Sequence, residues 1–225
     1  MYLLDSIKYE TYADALPYLP NAKSVYVQCC PQFIGDTIPN ANVVTVYACP
    51  LFVSDKIPNA NTVTVSDCPL FVGDKIPNAN AVTVYDCQLF VGDKIPNVEM
   101  LSVRCCPLFV GDKIPNVEGL GVFDCKLFVG DKIPNANAVT VYACPLFVGD
   151  KIPNIKTLSV QCCPQFIGDK IPNVISVHVF DCKLFVGDKL PSDTPIIIQD
   201  CPLFVPGKHV EFRAGGYEGL SENTK

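Results

Sequence analysis

Apolar and polar positions along this chain repeat with a period of 19 residues, and each repeat opens on the same alternation. In IPNANAVTVYDCQLFVGDK, which runs from Ile76 to Lys94, Ala79, Val82 and Val84 are apolar. Thr83 separates the two valines, and Cys87 follows three residues on. Alternating β-branched residues predict a short strand with both valines inward. The pattern recurs around Cys30, Cys49, Cys68, Cys87, Cys106, Cys125, Cys144, Cys163, Cys182 and Cys201 without a slip. Self-similarity at a fixed period near twenty predicts a solenoid, each repeat being one coil stacked on the next. Equivalent strands one coil apart must then be parallel and in register, giving one long parallel sheet.

The return from each strand is short. After Cys87 come Leu89, Phe90 and Val91, then Gly92-Asp93-Lys94, a turn with glycine available for an unusual φ. Ile95-Pro96-Asn97 re-enters the next strand, and a second proline often follows the cysteine, as at Pro107 and Pro145. Prolines at both ends leave no room for an α-helix, so the returns should be extended or 3₁₀. A phenylalanine stands three residues after every periodic cysteine, from Phe33 through Phe109 to Phe204. Such a column buries ~150–250 Å² per ring and forms a spine through the coils. The asparagine after each Ile-Pro forms another column, Asn40 to Asn173, broken at Ser192. Its amides should bond along the axis or to the turn backbone.

The repeats occupy residues 19–204. Residues 1–18 differ, and the spacing of Leu3, Leu4, Ile7, Thr11, Ala15 and Leu16 predicts a helical N-terminal cap over 3–16. Val205-Pro206-Gly207-Lys208 replaces the standard turn. His209 to Arg213 alternates like a final edge strand within a C-terminal cap, 205–214, whose charges discourage further stacking. The polar stretch 215–225 reads as a disordered tail.

Composition narrows the picture. The net charge of −6 argues against a nucleic-acid partner. No apolar run approaches the ~18 residues of a membrane span. The N-terminus lacks a basic n-region and carries Asp5, Glu10 and Asp14, so no secretory signal is expected. The thirteen cysteines would suggest disulfides in a short secreted chain. Here the periodic ones should form a ladder ~4.8 Å apart. Their Cβ vectors run parallel, whereas a disulfide needs convergence to ~3.8 Å. A buried ladder of reduced thiols fits, and points to an intracellular, cytoplasmic protein.

Sequence variation concentrates at positions predicted to face outward. The residue after the second inward aliphatic runs Gln28, Tyr47, Ser66, Tyr85, Arg104, Phe123, Tyr142, Gln161, Phe180, Gln199. The next runs Cys29, Ala48, Asp67, Asp86, Cys105, Asp124, Ala143, Cys162, Asp181, Asp200. Between the two aliphatics stand Tyr26, Thr45, Thr64, Thr83, Ser102, Gly121, Thr140, Ser159, His178 and Ile197. Exposed aromatics on a rigid sheet suit protein binding, and drift after duplication would leave a similar pattern. The protein-binding candidates are Tyr47, Tyr85, Asp86, Arg104, Phe123, Asp124, Tyr142, His178, Phe180 and Asp181.

Ala79-x-x-Val82-x-Val84-x-x-Cys87-x-Leu89 resembles the leucine-rich repeat segment LxxLxLxx(N/C)xL. Val98, Leu101, Val103 and Cys106 match it again, as do Val174, Val177, Val179 and Cys182. The proline-cornered return is similar to the shortest leucine-rich repeats, those of bacterial effector proteins. It departs from them in being one residue shorter, in using cysteine for asparagine and in replacing most leucines by valine. Near-identical tandem copies also resemble repeat arrays of giant-virus and amoebal proteins. The resemblance implies a horseshoe or superhelix, rich in β-structure, whose concave sheet binds other proteins.

Reactive chemistry is poorly supported. Asp67 and Asp86 are neighbours across coils, as are Asp181 and Asp200, and paired carboxylates can serve a glycosidase or a divalent cation. An open sheet gives no cleft for either, so these read as solvated strand-end carboxylates. The extra thiols Cys29, Cys105 and Cys162 are too far apart to pair. No histidine is expected beside one of them as a base, and no ligand cluster surrounds them. The Asp-Lys turn columns, from Asp55 and Lys56 onward, read as a solvated face. The reading is therefore non-catalytic, with no cofactor and no metal. The partner is a protein, with a spacer or self-associating array as the alternative.

Overall fold

The computed structural model describes residues 1–35, 38–53, 57, 59–73, 76, 79–92, 95, 98–111, 114, 117–130, 133, 136–149, 152, 155–168, 171, 173–188, 190 and 194–205. Outside the described residues lie the Asp-Lys turn columns except Asp188, most of the asparagine column with its break at Ser192, and 206–225. The expected terminal strand and tail therefore fall outside them.

The predicted alternation forms ten strands, one per repeat. They are β3 (Ser24–Gln28), β4 (Val43–Tyr47), β5 (Thr62–Ser66), β6 (Ala81–Tyr85) and β7 (Val98–Arg104). The remainder are β8 (Val117–Phe123), β9 (Ala138–Tyr142), β10 (Thr157–Gln161), β11 (Ser176–Phe180) and β12 (Ile196–Gln199). Each pairs in parallel with the next at a one-repeat offset: Val82 lies opposite Leu101, and Val84 opposite Val103. Stacked 19-residue turns thus build a β-solenoid with one long, mostly parallel sheet and almost no helix.

Each periodic cysteine begins a tight turn that decides which side chains enter the core. The Phe90 amide donates to the Cys87 carbonyl at 3.3 Å, and the turn repeats in every coil through Phe204. The third residue after cysteine is thereby carried inward and the second left at the outer corner. This corrects the match to the repeat segment above. Ala79, Val82, Val84 and Cys87 are buried, but Leu89 is 42% exposed, and Phe90 takes the core position in its place. Gly92 then adopts φ +70, and a Cβ there would lie 2.8 Å from the Phe109 ring of the next coil. Among the described residues no return between these strands is helical.

The phenylalanines stack continuously. Consecutive rings from Phe33 to Phe204 lie 5.4–5.9 Å apart with planes within 16° of parallel. That spacing falls inside the range of favourable aromatic pairs. Beside the rings runs the thiol ladder. All thirteen cysteines are free. Each periodic thiol turns back on its strand, as Cys87 Sγ does in donating to the Tyr85 carbonyl at 3.4 Å. Of the asparagine column, Asn40 donates through Nδ2 to the Pro20 carbonyl at 2.7 Å, and Asn59 to the Pro39 carbonyl at 2.8 Å. Both bonds tie a corner to the coil before it.

The helix expected over 3–16 is confined to α1 (Tyr12–Ala15), whose N-cap Thr11 accepts from the Asp14 amide at 3.2 Å. The preceding residues form an antiparallel hairpin, β1 (Tyr2–Leu4) and β2 (Ile7–Tyr9), with β1 also antiparallel to β3. Asp5 and Ser6 supply the positive φ at both positions that a two-residue I′ loop requires. The Asp5 carboxylate accepts from the Ser24 amide at 2.7 Å, pinning the loop to β3. Strand alternation wins over helical spacing because Tyr2 and Leu4 both reach the core while Leu3 points out. Tyr2 continues the aromatic stack, 6.2 Å from Phe33 and edge-on to it.

Candidate functional site

On the outer face of the sheet, in-register pairing turns each variable column into a physical row. Tyr85, Arg104, Phe123 and Tyr142 are successive neighbours on β6 to β9. Four of the candidates thus form one contiguous strip. The Arg104 guanidinium lies over the Tyr85 ring at 5.5 Å, and its Nε is 4.0 Å from an Asp124 carboxylate oxygen. Tyr85 and Tyr142 are 36% and 38% exposed, with Arg104 covering one face of the Tyr85 ring. The Asp86 carboxylate beside Tyr85 holds its phenol above the ordinary tyrosine range. Asp67 does the same for Tyr47.

The other candidates stand apart. Tyr47 is separated from Tyr85 by Ser66, and Phe180 from Tyr142 by Gln161. His178 belongs to the neighbouring row, between Ser159 and Ile197. Asp181 lies exposed at the end of β11. The expectation that no histidine sits in a coil beside an extra thiol needs correction. His178 is in the coil next to Cys162. It pairs with Ser159, however, three residues or ~10 Å along the strand. Burial, and then the Asp181 carboxylate, raise the Cys162 thiol, the opposite of what a nucleophile needs.

The row of carboxylates and small residues has a backbone origin that the sequence did not disclose. Every member is left-handed: Cys29, Ala48, Asp67, Asp86, Cys105, Asp124, Ala143, Cys162, Asp181 and Asp200 have φ between 48° and 56°. Aspartate tolerates that region best among these types. From Cys29 to Asp181 the conformation lets each amide extend the ladder past the strand end, as Asp86 does in donating to the Arg104 carbonyl at 3.0 Å. The aligned aspartates are therefore explained by the turn. Of the three extra thiols, Cys29 is exposed and Cys105 and Cys162 are half-buried. Among the described residues no group of three or more histidine, cysteine or acidic side chains is placed to hold a metal ion.

The same face also carries a recess. β7 and β8 are seven residues long, and β8 carries Gly119 and Gly121 at outward positions. Without side chains there, the face sinks into an apolar depression of about 310 Å³ between β6 and β9. Thr83, Ser102 and Thr140 line it with hydroxyls, and Met100 and Phe123 form walls. Two glycines on alternate residues of VEGLGVF, in columns that hold a side chain in the other nine coils, are the available signal. No helix of the described residues is long and apolar enough to cross a membrane. No protein-family model, no curated protein and no solved structure matches the chain.

Proposed function

We propose that this solenoid is a non-catalytic scaffold of the leucine-rich-repeat type that binds a protein partner on its exposed, concave sheet face, inside the cell. The observation that carries the reading is the contiguous strip Tyr85, Arg104, Phe123 and Tyr142 on a rigid sheet. Tyrosine and arginine supply binding energy with little side-chain entropy to lose, and a parallel sheet holds them preorganised. A pull-down comparing wild type with a Tyr85→Ala/Phe123→Ala double variant tests it. Partners that bind wild type and are lost from the variant are expected; equal capture by both would remove the face from consideration.

A second reading has its own support. The corner residue two after cysteine is leucine in an unbroken run at Leu51, Leu70, Leu89, Leu108, Leu127 and Leu146, each 40–48% exposed, and again at Leu184 and Leu203. Six leucines one coil apart form an apolar ridge away from the sheet, suited to lateral association of arrays. Sedimentation of wild type and of Leu89→Gln/Leu108→Gln separates the readings, since glutamine already occupies this corner at Gln32 and Gln165. A wild-type oligomer that dissociates in the variant favours the assembly role; a monomer in both favours the scaffold.

A further inference from the structure

The depression over β8 is a place where the outer face of the described residues is recessed enough to take a side chain. Its floor is the backbone of two glycines, over which the Met100 thioether and the Phe123 ring lie. A Cβ on Gly119 would lie 2.5 Å from Met100 Sδ, and one on Gly121 would lie 2.9 Å from the Phe123 ring. The thioether and the ring thus lean into space that side chains fill in other coils. Glycine weakens a strand interior and commonly marks a site where a ligand or another backbone approaches closely. Met100 is 57% exposed, and its flexible thioether makes an adaptable wall.

Charge brackets this recess at both ends of the strands. Glu99 and Glu118 stand exposed at the entry end, and Asp86 and Asp124 are half-buried at the exit end. Arg104 stands among them and faces Tyr85 and Asp124. From Glu118 to Asp124 the strand spans ~20 Å, the length of about six extended residues. At about 310 Å³ the recess lies at the small end of the ~300–1,000 Å³ range of ligand sites, room for one large aliphatic side chain.

We infer that the recess over β8 is an anchor pocket for an extended peptide segment carrying one leucine-, isoleucine- or methionine-sized side chain with lysine or arginine within about three positions on either side. The inference rests on the exposed sheet face being the binding surface. The apolar side chain seats between Met100 and Phe123, against Thr83, Ser102 and Thr140, with the flexible thioether moving aside over Gly119. The flanking cations meet the carboxylates at the two strand ends, where complementary charge favours association and orients the segment.

The test is a random-peptide display library panned on wild type, Gly121→Thr, Gly119→Ala and Tyr85→Ala/Tyr142→Ala. Threonine already occupies the Gly121 column at Thr45, Thr64, Thr83 and Thr140. Variants are compared once circular dichroism shows the wild-type β signal. Gly119→Ala displaces only the flexible end of Met100 and keeps the test open should Gly121→Thr not fold. The expected result is enrichment of basic-flanked aliphatic peptides whose affinity falls at least tenfold in the filled variants. Peptides that depend on Tyr85 and Tyr142 but ignore the filling overturn the pocket and leave the face as a binding surface. Enrichment of acidic-flanked peptides also overturns it. A library yielding nothing sensitive to any of these variants overturns the pocket and the binding face together.

Discussion

Inside the stack, the neighbour one coil away is nearly always the same kind of residue: phenylalanine lies on phenylalanine, cysteine beside cysteine, valine opposite valine or leucine. On the outer face of the same strands, Tyr85 adjoins Ser66 and Arg104, and Phe123 adjoins Arg104 and Tyr142. The two faces share one backbone and one register, so backbone geometry cannot account for the contrast. Packing can. An interior residue must fit both the coil before it and the coil after it at close-packed density, so a change in one coil is felt in three. An outward residue has solvent on one side and can differ from its neighbours at little cost. The interior therefore carries the stability of the array and the outer face is available for recognition. Perturbations should have effects that fall off steeply from the first face to the second.

The largest effect should come from alkali, because it strikes every interior thiol at once. Burial is the leading cause that pushes Cys49, Cys125 and Cys163 up to about 11 and Cys68, Cys106 and Cys182 up to about 12. An unfolded thiol titrates near ~8.5. A raised folded value means that the folded chain holds its proton more tightly. Stability is therefore complete below pH ~8.5 and is lost as pH rises toward the folded values, at ~1.4 kcal/mol per thiol per pH unit. Six such thiols together remove on the order of 10 kcal/mol by pH 10, comparable with the whole stability of a typical domain. Circular dichroism under reducing conditions should show cooperative unfolding near that pH, and Cys106→Ala should flatten the pH slope by one proton. Stability that stays level from pH 8 to 10.5 would show that the ladder is not a row of buried neutral thiols.

Next in size is the aromatic spine. Phe109→Ala should destabilise by ~3–5 kcal/mol in urea, as expected for a large core cavity. Phe204, half-buried in the last coil, should lose clearly less. Phe33 belongs with Phe109 despite its place in the first coil, because Tyr2 of the hairpin closes over it. Equal losses at Phe109 and Phe204 would mean that the coils do not fray from their ends. Gly92→Ala follows, at ~2–4 kcal/mol, since it combines a left-handed backbone with a Cβ pressed on Phe109. A neutral Gly92→Ala would show that the turn can rotate away from the next ring.

Which of these sites could be named from sequence alone depended on whether a column repeated a side chain or a backbone state. The valine strands, thiol ladder and phenylalanine spine were legible because each repeats one side chain, and identical spacing forces parallel, in-register pairing. Leu89 was misplaced because Cys87-x-Leu89 spacing does not reveal that the turn carries Phe90 inward. The hairpin was missed because Leu3, Ile7 and Leu16 mimic helical spacing while their side chains point out. The left-handed row hid behind three residue types, aspartate, alanine and cysteine, that share a φ but no chemistry. Of the candidate site, the strip from Tyr85 to Tyr142 was readable. The recess beside it was not, because it consists of side chains that are missing at Gly119 and Gly121.

That left-handed row provides a smaller test, with the opposite sign. Ala143 sits at φ 51 while its amide donates to the Gln161 carbonyl at 2.9 Å. Alanine is strained there and asparagine much less so, so Ala143→Asn should raise stability by about 1 kcal/mol without touching the core. Chemical denaturation of the single variant checks it. A loss of stability would mean that alanine is held there by packing and not merely tolerated.

The smallest effect on stability, and the most informative about function, belongs to the strip itself. Tyr85 is 36% exposed and Tyr142 38%, and neither supports the phenylalanine spine. Their replacement by alanine should leave urea stability within about 0.5 kcal/mol of wild type, as for surface sites remote from special packing. Binding should respond differently. If the strip is the working surface, a central residue such as Tyr85 should lose at least ~1–2 kcal/mol of affinity for a captured partner, while Tyr47, beyond Ser66, loses little. Raised salt should slow association more than it speeds release, because Asp86, Asp124 and the strand-end glutamates act mainly by steering. Titration of each variant by calorimetry, beside its urea curve, separates the two quantities. A Tyr85→Ala variant that binds like wild type, or one that loses affinity only in proportion to lost stability, would erase the functional half of the contrast between the faces and leave the outer columns as drift on a structural array.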